Sequence, residues 1–293
     1  MTLVDAFVPG KSGAIAYQPS GGSTVYLPQT QADFQISNGT EVIDLINNAA
    51  YPSNAVQGTT IGSFVLDMPY TLAATPAAFW TTAFLSGAGD YNTVNFHQLT
   101  QYLDGAGSTP VNYNNVKFSR WQGGVTFSPN GAAQIAMNRV SGLIQDPVHG
   151  SALAAPSAGA LSSGNDILGF ANTSYTGVSS VTALNWMVST GLVIAPGYNA
   201  GSNPLYPYLS NGFVQTTLVG DLVVTQSAYA GTVASGVTTI VMNLGGSGTG
   251  SSFTFKVVRV GDGRPQNPGL NIWQYRFKLI GNGTTPPIAV ANL

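Results

Sequence analysis

Cysteine is absent from this 293-residue chain, and charge is nearly so. Without thiols there is no disulfide scaffold and no thiolate zinc, iron–sulfur or redox chemistry. Lys, Arg, Asp and Glu together make up 7% of the residues, against about 25% in an ordinary soluble domain. Glu41 is the sole glutamate. The Glu/Lys-rich heptads of a coiled coil are therefore missing. Disorder requires low hydrophobicity or high net charge, and a chain that is 44% hydrophobic with a formal charge of −2 has neither. Long apolar runs are lacking too. Residues 167–220 contain no charge, but Asn172, Pro196, Pro204, Pro207 and Asn211 interrupt them, and no window approaches the ~18 apolar residues of a spanning helix. The first residues, Met1–Asp5, carry no basic or apolar leader pattern, so a protein made in the cytoplasm is expected, without a membrane partner.

What remains is a Gly-rich, Thr- and Asn-rich chain with an almost uncharged surface. Interspersed charges normally keep monomers apart. Two readings of their scarcity stand side by side: a surface covered by copies of itself, or a polar Ser/Thr/Asn coat on a secreted or viral β-protein.

An internal repeat is the main long-range signal. Phe34–Gly39 (Phe-Gln-Ile-Ser-Asn-Gly) matches Trp186–Gly191 (Trp-Met-Val-Ser-Thr-Gly), 152 positions later. Trp121-Gln122 and Trp273-Gln274 share that offset, as do Asn130-Gly131 and Asn282-Gly283. Ile135–Met137 parallels Ile288–Val290 one residue out of step, and Thr60–Leu66 resembles Leu218–Val224 after a six-residue insertion. The expected organisation is a first unit over 1–147, a small-residue linker over 148–165 and a second unit over 166–293.

Both units read as mainly β. Thr24–Leu27, Ala32–Ser37, Gly62–Met68 and Asn115–Ser128 are short apolar or alternating runs bounded by turn residues, as are Leu184–Ser189, Leu218–Thr225, Thr238–Asn243, Ser252–Val260 and Ile272–Ile280. In Ser252–Val260 the set Phe253, Phe255, Val257, Arg259 alternates with Thr254, Lys256, Val258, Val260, which predicts one apolar face. One helix is expected, Thr75–Gly87, with Thr75 at the N-cap, Pro76 in the first turn and Gly87 at the stop. The second unit offers only the weak Ala228–Ser235 in its place.

Catalytic candidates are few. His97 and His149 lie far apart, with no metal-ligand spacing. No Gly-x-Ser-x-Gly elbow is present. Glu41 and Asp44 read as solvated acids rather than a glycosidase pair. The run Gly245–Gly250 leads into a strand instead of a helix N-terminus, so it is expected to be a hairpin tip and not a phosphate loop. The sequons at Asn38, Asn172 and Asn282 carry no weight without a secretion signal. No enzyme and no cofactor are expected.

Charge is unevenly placed. Lys256, Arg259, Arg264, Arg276 and Lys278 cluster near the C-terminus with only Asp262 among them, a net +4; the four remaining basic and ten remaining acidic residues leave −6 elsewhere. Nucleic-acid binding, a plus face meeting a minus face of the next copy, and a simply solvated hairpin are all compatible with this.

The segments Ala32–Gly39 and Val181–Gly191, each followed by an Asn/Pro/Gly-rich loop and then by Gly62–Met68 or Gly220–Thr225, resemble the tail tube (major tail) proteins of long, non-contractile-tailed bacteriophages. The resemblance implies two tandem β-sandwich or partial-barrel domains, each with at most one flanking helix. It further implies homotrimeric, pseudo-hexameric rings that stack into a hollow tube in the virion tail, assembled in the host cytoplasm. DNA would cross the lumen without specific binding, and a tape-measure protein and tail terminator or tip proteins would be further partners. On this reading the five basic residues are inter-ring contacts, and Asp33, Glu41 and Asp44 line the lumen. Another virion shell component (capsid or decoration protein), or a carbohydrate-binding or adhesive β-sandwich with contacts at Tyr206 and Tyr208, would share the composition.

Overall fold

The computed structural model describes residues 14–18, 23–27, 31–37, 41–43, 54–56, 61–70, 97–102, 110–127, 134–146, 153, 167–198, 209–215, 219–227, 236–246, 249–263, 266–267, 270–281 and 286–293. Among them the protein is mainly β, with large antiparallel sheets and no α-helix. The expected helix Thr75–Gly87, its weak counterpart Ala228–Ser235 and the turn Ser128–Gly131 lie outside the described residues.

The strands of the first half are β1 (Ala14–Gln18), β2 (Val25–Leu27), β3 (Gln31–Ser37), β4 (Glu41–Ile43), β5 (Asn54–Val56), β6 (Ile61–Pro69), β7 (His97–Tyr102), β8 (Pro110–Thr126) and β9 (Met137–Asp146). A short 3-10 turn at Phe170–Asn172 precedes the second set. That set is β10 (Thr173–Thr176), β11 (Val181–Ser189), β12 (Leu192–Tyr198), β13 (Leu209–Gln215), β14 (Val219–Gln226), β15 (Val237–Gly246), β16 (Thr249–Gly263), β17 (Gln266–Asn267), β18 (Leu270–Asn271), β19 (Trp273–Leu279) and β20 (Ile288–Asn292).

Hydrogen-bonded neighbours in the first half run β3-β6-β9-β8-β7-β1. In the second they run β11-β14-β19-β16-β15-β10, the same path taken by corresponding strands. In each half a separate two-stranded ribbon, β4–β5 or β12–β13, interrupts the chain between the first two members of that path. The correspondence extends to register. Phe34 faces Phe64, and their matched residues Trp186 and Leu222 face each other. The β8–β9 pairing shifts between Phe118 and Arg120, and the β16–β19 pairing shifts at the matched place, between Arg259 and Gly261. A bulge adds a residue and bends its strand, so a bulge at the same position bends both long strands alike.

This topology alters part of the sequence match. Trp121 lies in β8, whereas Trp273 opens β19, the counterpart of β9; the residue at the counterpart position of Trp121 is Asp262. The two Trp-Gln pairs are thus not equivalent, while the matches around Phe34/Trp186 and Phe64/Leu222 are.

Alternation explains which side of each strand is covered. Phe253, Phe255 and Val257 are fully buried and Thr254, Lys256 and Val258 are not, as the pattern predicts. Gly62 and Gly220, at matched positions, share one cause: a Cβ at Gly62 would lie 2.8 Å from Ile144 Cβ, and one at Gly220 would lie 2.4 Å from Leu279 Cδ1. At the end of the β15–β16 pairing Gly245 stands opposite Gly250 and Gly246 opposite Thr249, so the expected hairpin forms there. One apolar cluster extends through both halves, from Tyr17, Phe64 and Phe118 to Phe253, Phe255 and Phe277. Leu153, in the segment expected to be a linker, is buried against Ala16 and Tyr102; its amide donates to Thr100 Oγ1 at 3.1 Å, and its carbonyl accepts from the Tyr102 hydroxyl.

Candidate functional site

The halves meet strand to strand. β11 lies along the C-terminal part of β8, Ala183 opposite Thr126 through Ser189 opposite Arg120, with no break in register. β7 uses the earlier part of the same β8 edge, since β9 occupies the opposite edge across both stretches. The joint extends beyond the ladder: the Phe127 amide donates to the Thr182 carbonyl at 2.7 Å, and the Thr190 amide to the Ser119 carbonyl at 3.0 Å. Thr190 Oγ1 also donates to the Phe118 carbonyl at 3.0 Å.

Beneath the ladder sits an aromatic group. Trp121 and Trp186 meet edge to face at 5.7 Å, and Trp186 packs on Phe253 at 5.4 Å and Phe255 at 5.3 Å. Such pairs add to the large area that aromatic rings bury. Trp121 Nε1 donates to Asn138 Oδ1 at 2.8 Å, which satisfies its polar end. The Trp186 ring lies where a side chain of residue 123 would be, because a Cβ on Gly123 would stand 2.1 Å from its Cζ2 atom. Glycine at 123 is what lets β11 approach with a tryptophan. On the other face, Arg120 Nη2 donates to Met187 Sδ at 2.8 Å. An open groove of about 550 Å³ runs over this joint between Asp67, Gln122, Arg139 and Asn185.

β3 is the first-half counterpart of β11, and its situation differs. It pairs with β6 and with no other described strand. In β11 the inward residues Leu184, Trp186 and Val188 are buried, at 0, 3 and 0% exposure. In β3 the matched Ala32 and Phe34 are only half-buried, and Ile36 is 42% exposed. Phe34 stacks flat on Tyr113 at 4.5 Å, which holds its ring against the first-half core.

The charged residues singled out in the sequence are distributed as follows. Arg276 and Lys278 project from one face of β19 and are exposed, and Lys256 shares that face on β16. Arg259 pairs opposite Phe277 and so faces the other way. Arg264 lies outside the described residues. Lys278 Nζ is 2.5 Å from Asp221 Oδ1, an exposed pair of the kind worth about 0–1 kcal/mol. Asp33 is exposed on β3 and accepts from Gln35 Nε2 at 3.0 Å. Glu41 begins β4, and Asp44, His149, Tyr206 and Tyr208 lie outside the described residues.

Among the described residues no group of three His, Cys, Asp or Glu side chains could hold a metal ion, and no helix is long and apolar enough to cross a membrane. Lys117 on β8 is 2% exposed, and burial pushes its ammonium down to about 8. The open β3 edge was missed in the sequence, because Gln31–Ser37 reads like any other strand. No protein-family model matches the chain, and no curated protein matches its sequence.

Proposed function

We propose that this chain is a structural virion protein whose copies associate through strand edges into rings that stack as a hollow tail tube for passage of phage DNA. On this reading the two halves are tandem β-sandwich or partial-barrel domains, 1–147 and 166–293, joined by 148–165. The observation that carries it is the contrast between β11 and β3: the same strand of the same path is covered by β8 in one half and, among the described residues, paired on one edge alone in the other. A long open edge next to exposed apolar side chains is a template for pairing with another chain. Here a covered example of the same edge stands within the molecule. Extensive burial between copies also accounts for a surface carrying so little charge. Function then resides in geometry, with no catalytic group and no cofactor. Three duplicated chains would close a ring of six units, and a tape-measure protein and terminator or tip proteins would bound the tube.

Electron microscopy of the purified protein tests this. Stacked rings or tubes are the expected outcome, and a persistent monomer that binds glycans would overturn it.

A further inference from the structure

We infer that the contact between copies reproduces the joint inside the chain: β3 of one copy adds to the outgoing end of β16 of the next, in the register that β11 takes on β8. The inference rests on the self-assembly reading above and specifies its interface. β16 is the counterpart of β8, with β15 in the place of β7 and β19 in the place of β9. β15 pairs with β16 only as far as Val237 opposite Val258. Beyond that point, over Arg259–Gly263, the β15-side edge of β16 meets no other described strand, whereas the same stretch of β8 is where β11 docks. Val260 at this open end is 56% exposed, and Val237 beside it is 61% exposed. Among the described residues the chain thus carries one covered joint and the two separated halves of a second. A donor edge and an acceptor edge on different surfaces make a head-to-tail contact, which closes into a ring when the rotation allows and otherwise grows as a filament.

The shared bulge fixes the register. Arg120 opposite Ser189 becomes Gly261 opposite Ser37, and Gln122 opposite Met187 becomes Gly263 opposite Gln35. The Phe127–Thr182 and Thr190–Ser119 hydrogen bonds put these two pairs, and every second pair between them such as Trp121 opposite Val188, in the hydrogen-bonded class. The pairs at Gly261 and Gly263 are therefore the non-hydrogen-bonded kind, whose side chains approach most closely. Nothing lies within 4 Å of a Cβ built on Gly261 or Gly263, so both positions accept a side chain and are open to a partner.

Because the chain has no cysteine, disulfide trapping reads this contact without background. The variant Gln35→Cys/Gly263→Cys, assembled and mildly oxidised, is expected to give reducible covalent species beyond the dimer on a denaturing gel, ending at a closed trimer. Ser37→Cys/Gly261→Cys should give the same series, which guards against one variant that fails to fold. Gln31→Cys/Gly263→Cys places the thiols roughly 13 Å apart in this register and should give none beyond the dimer. Tubes by microscopy without the first two ladders, or with an equal ladder from the third, would overturn the register while leaving self-assembly standing. No assemblies by microscopy and no ladder from any variant would overturn both.

Discussion

Replacing Gly123 with alanine tests the inner joint most sharply, because two effects of opposite sign compete there. In an unstrained strand position, Gly→Ala restricts the unfolded chain and adds about 0.4–1 kcal/mol of stability. At Gly123 the new Cβ would stand 2.1, 2.3 and 2.8 Å from Trp186 Cζ2, Cε2 and Cη2, so the ring must retreat by more than 1 Å to reach ordinary contact. It cannot do so freely, since Trp121, Phe253, Phe255 and Tyr70 surround it. Overpacking of this kind costs about 1–3 kcal/mol, and for a chain this long each kcal/mol lowers Tm by about 2–4 °C. Trp186→Phe removes the Cζ2 and Cη2 atoms and costs stability on its own by emptying part of the site. The double variant should be more stable than the sum of the single losses by at least about 1 kcal/mol, since the added methyl enters space the smaller ring vacates. Thermal and urea unfolding followed by far-UV circular dichroism would measure all four corners of the cycle without relying on the tryptophan being removed. A neutral or stabilised Gly123→Ala, or strict additivity, would refute the close-approach argument.

Other consequences can be checked in the same way. Lys117 titrates near 8 when folded and near its ordinary value when unfolded, so between about pH 8 and pH 10 the unfolded chain binds more protons and stability rises with pH. The cost of burying the charge is on the order of a few kcal/mol at most, so Lys117→Met should stabilise the protein at pH 7 and flatten that rise in denaturant titrations. Burial raises the phenols of Tyr70, Tyr113 and Tyr175, so they stay protonated through this window and oppose stability only at higher pH. Gly62→Val and Gly220→Val should each lose about 1–3 kcal/mol against Ile144 and Leu279, and a loss at only one site would separate the two halves. Reversing Lys256 and Arg276, which share one face, to Glu should block ring stacking while leaving the circular dichroism spectrum unchanged; unaltered tubes would remove charge complementarity between rings.

Strands that alternate or carry β-branched runs were legible in the sequence. β3, β6, β11, β14, β15, β16 and β19 fall within a few residues of the expected positions, and the apolar face of Phe253, Phe255 and Val257 is the one read from alternation. β1, β7 and β10 were not, because Ala14–Gln18, His97–Tyr102 and Thr173–Thr176 are short and mostly polar or mixed, and pairing on the sheet selects them. The repeat was visible at Phe34/Trp186 but misaligned at Trp121/Trp273. Register partners explain this, since they exchange volume between the halves: Phe64 faces Gly142, whereas the matched Leu222 faces Phe277. Pairing order survives such exchanges and residue identity does not. The open edge of β3 could not be read locally, because it is defined by what β11 does 152 positions away.

The β8–β11 joint has a kinetic consequence. Two surfaces held on one chain meet at an effective concentration on the order of millimolar, however dilute the protein is. That joint therefore closes as a first-order event in each newly made chain, and β11 is withdrawn early from the pool of strands able to mispair. For a ring of six such units only three joints would depend on diffusion, so the onset of assembly would vary less steeply with protein concentration than for six separate single units.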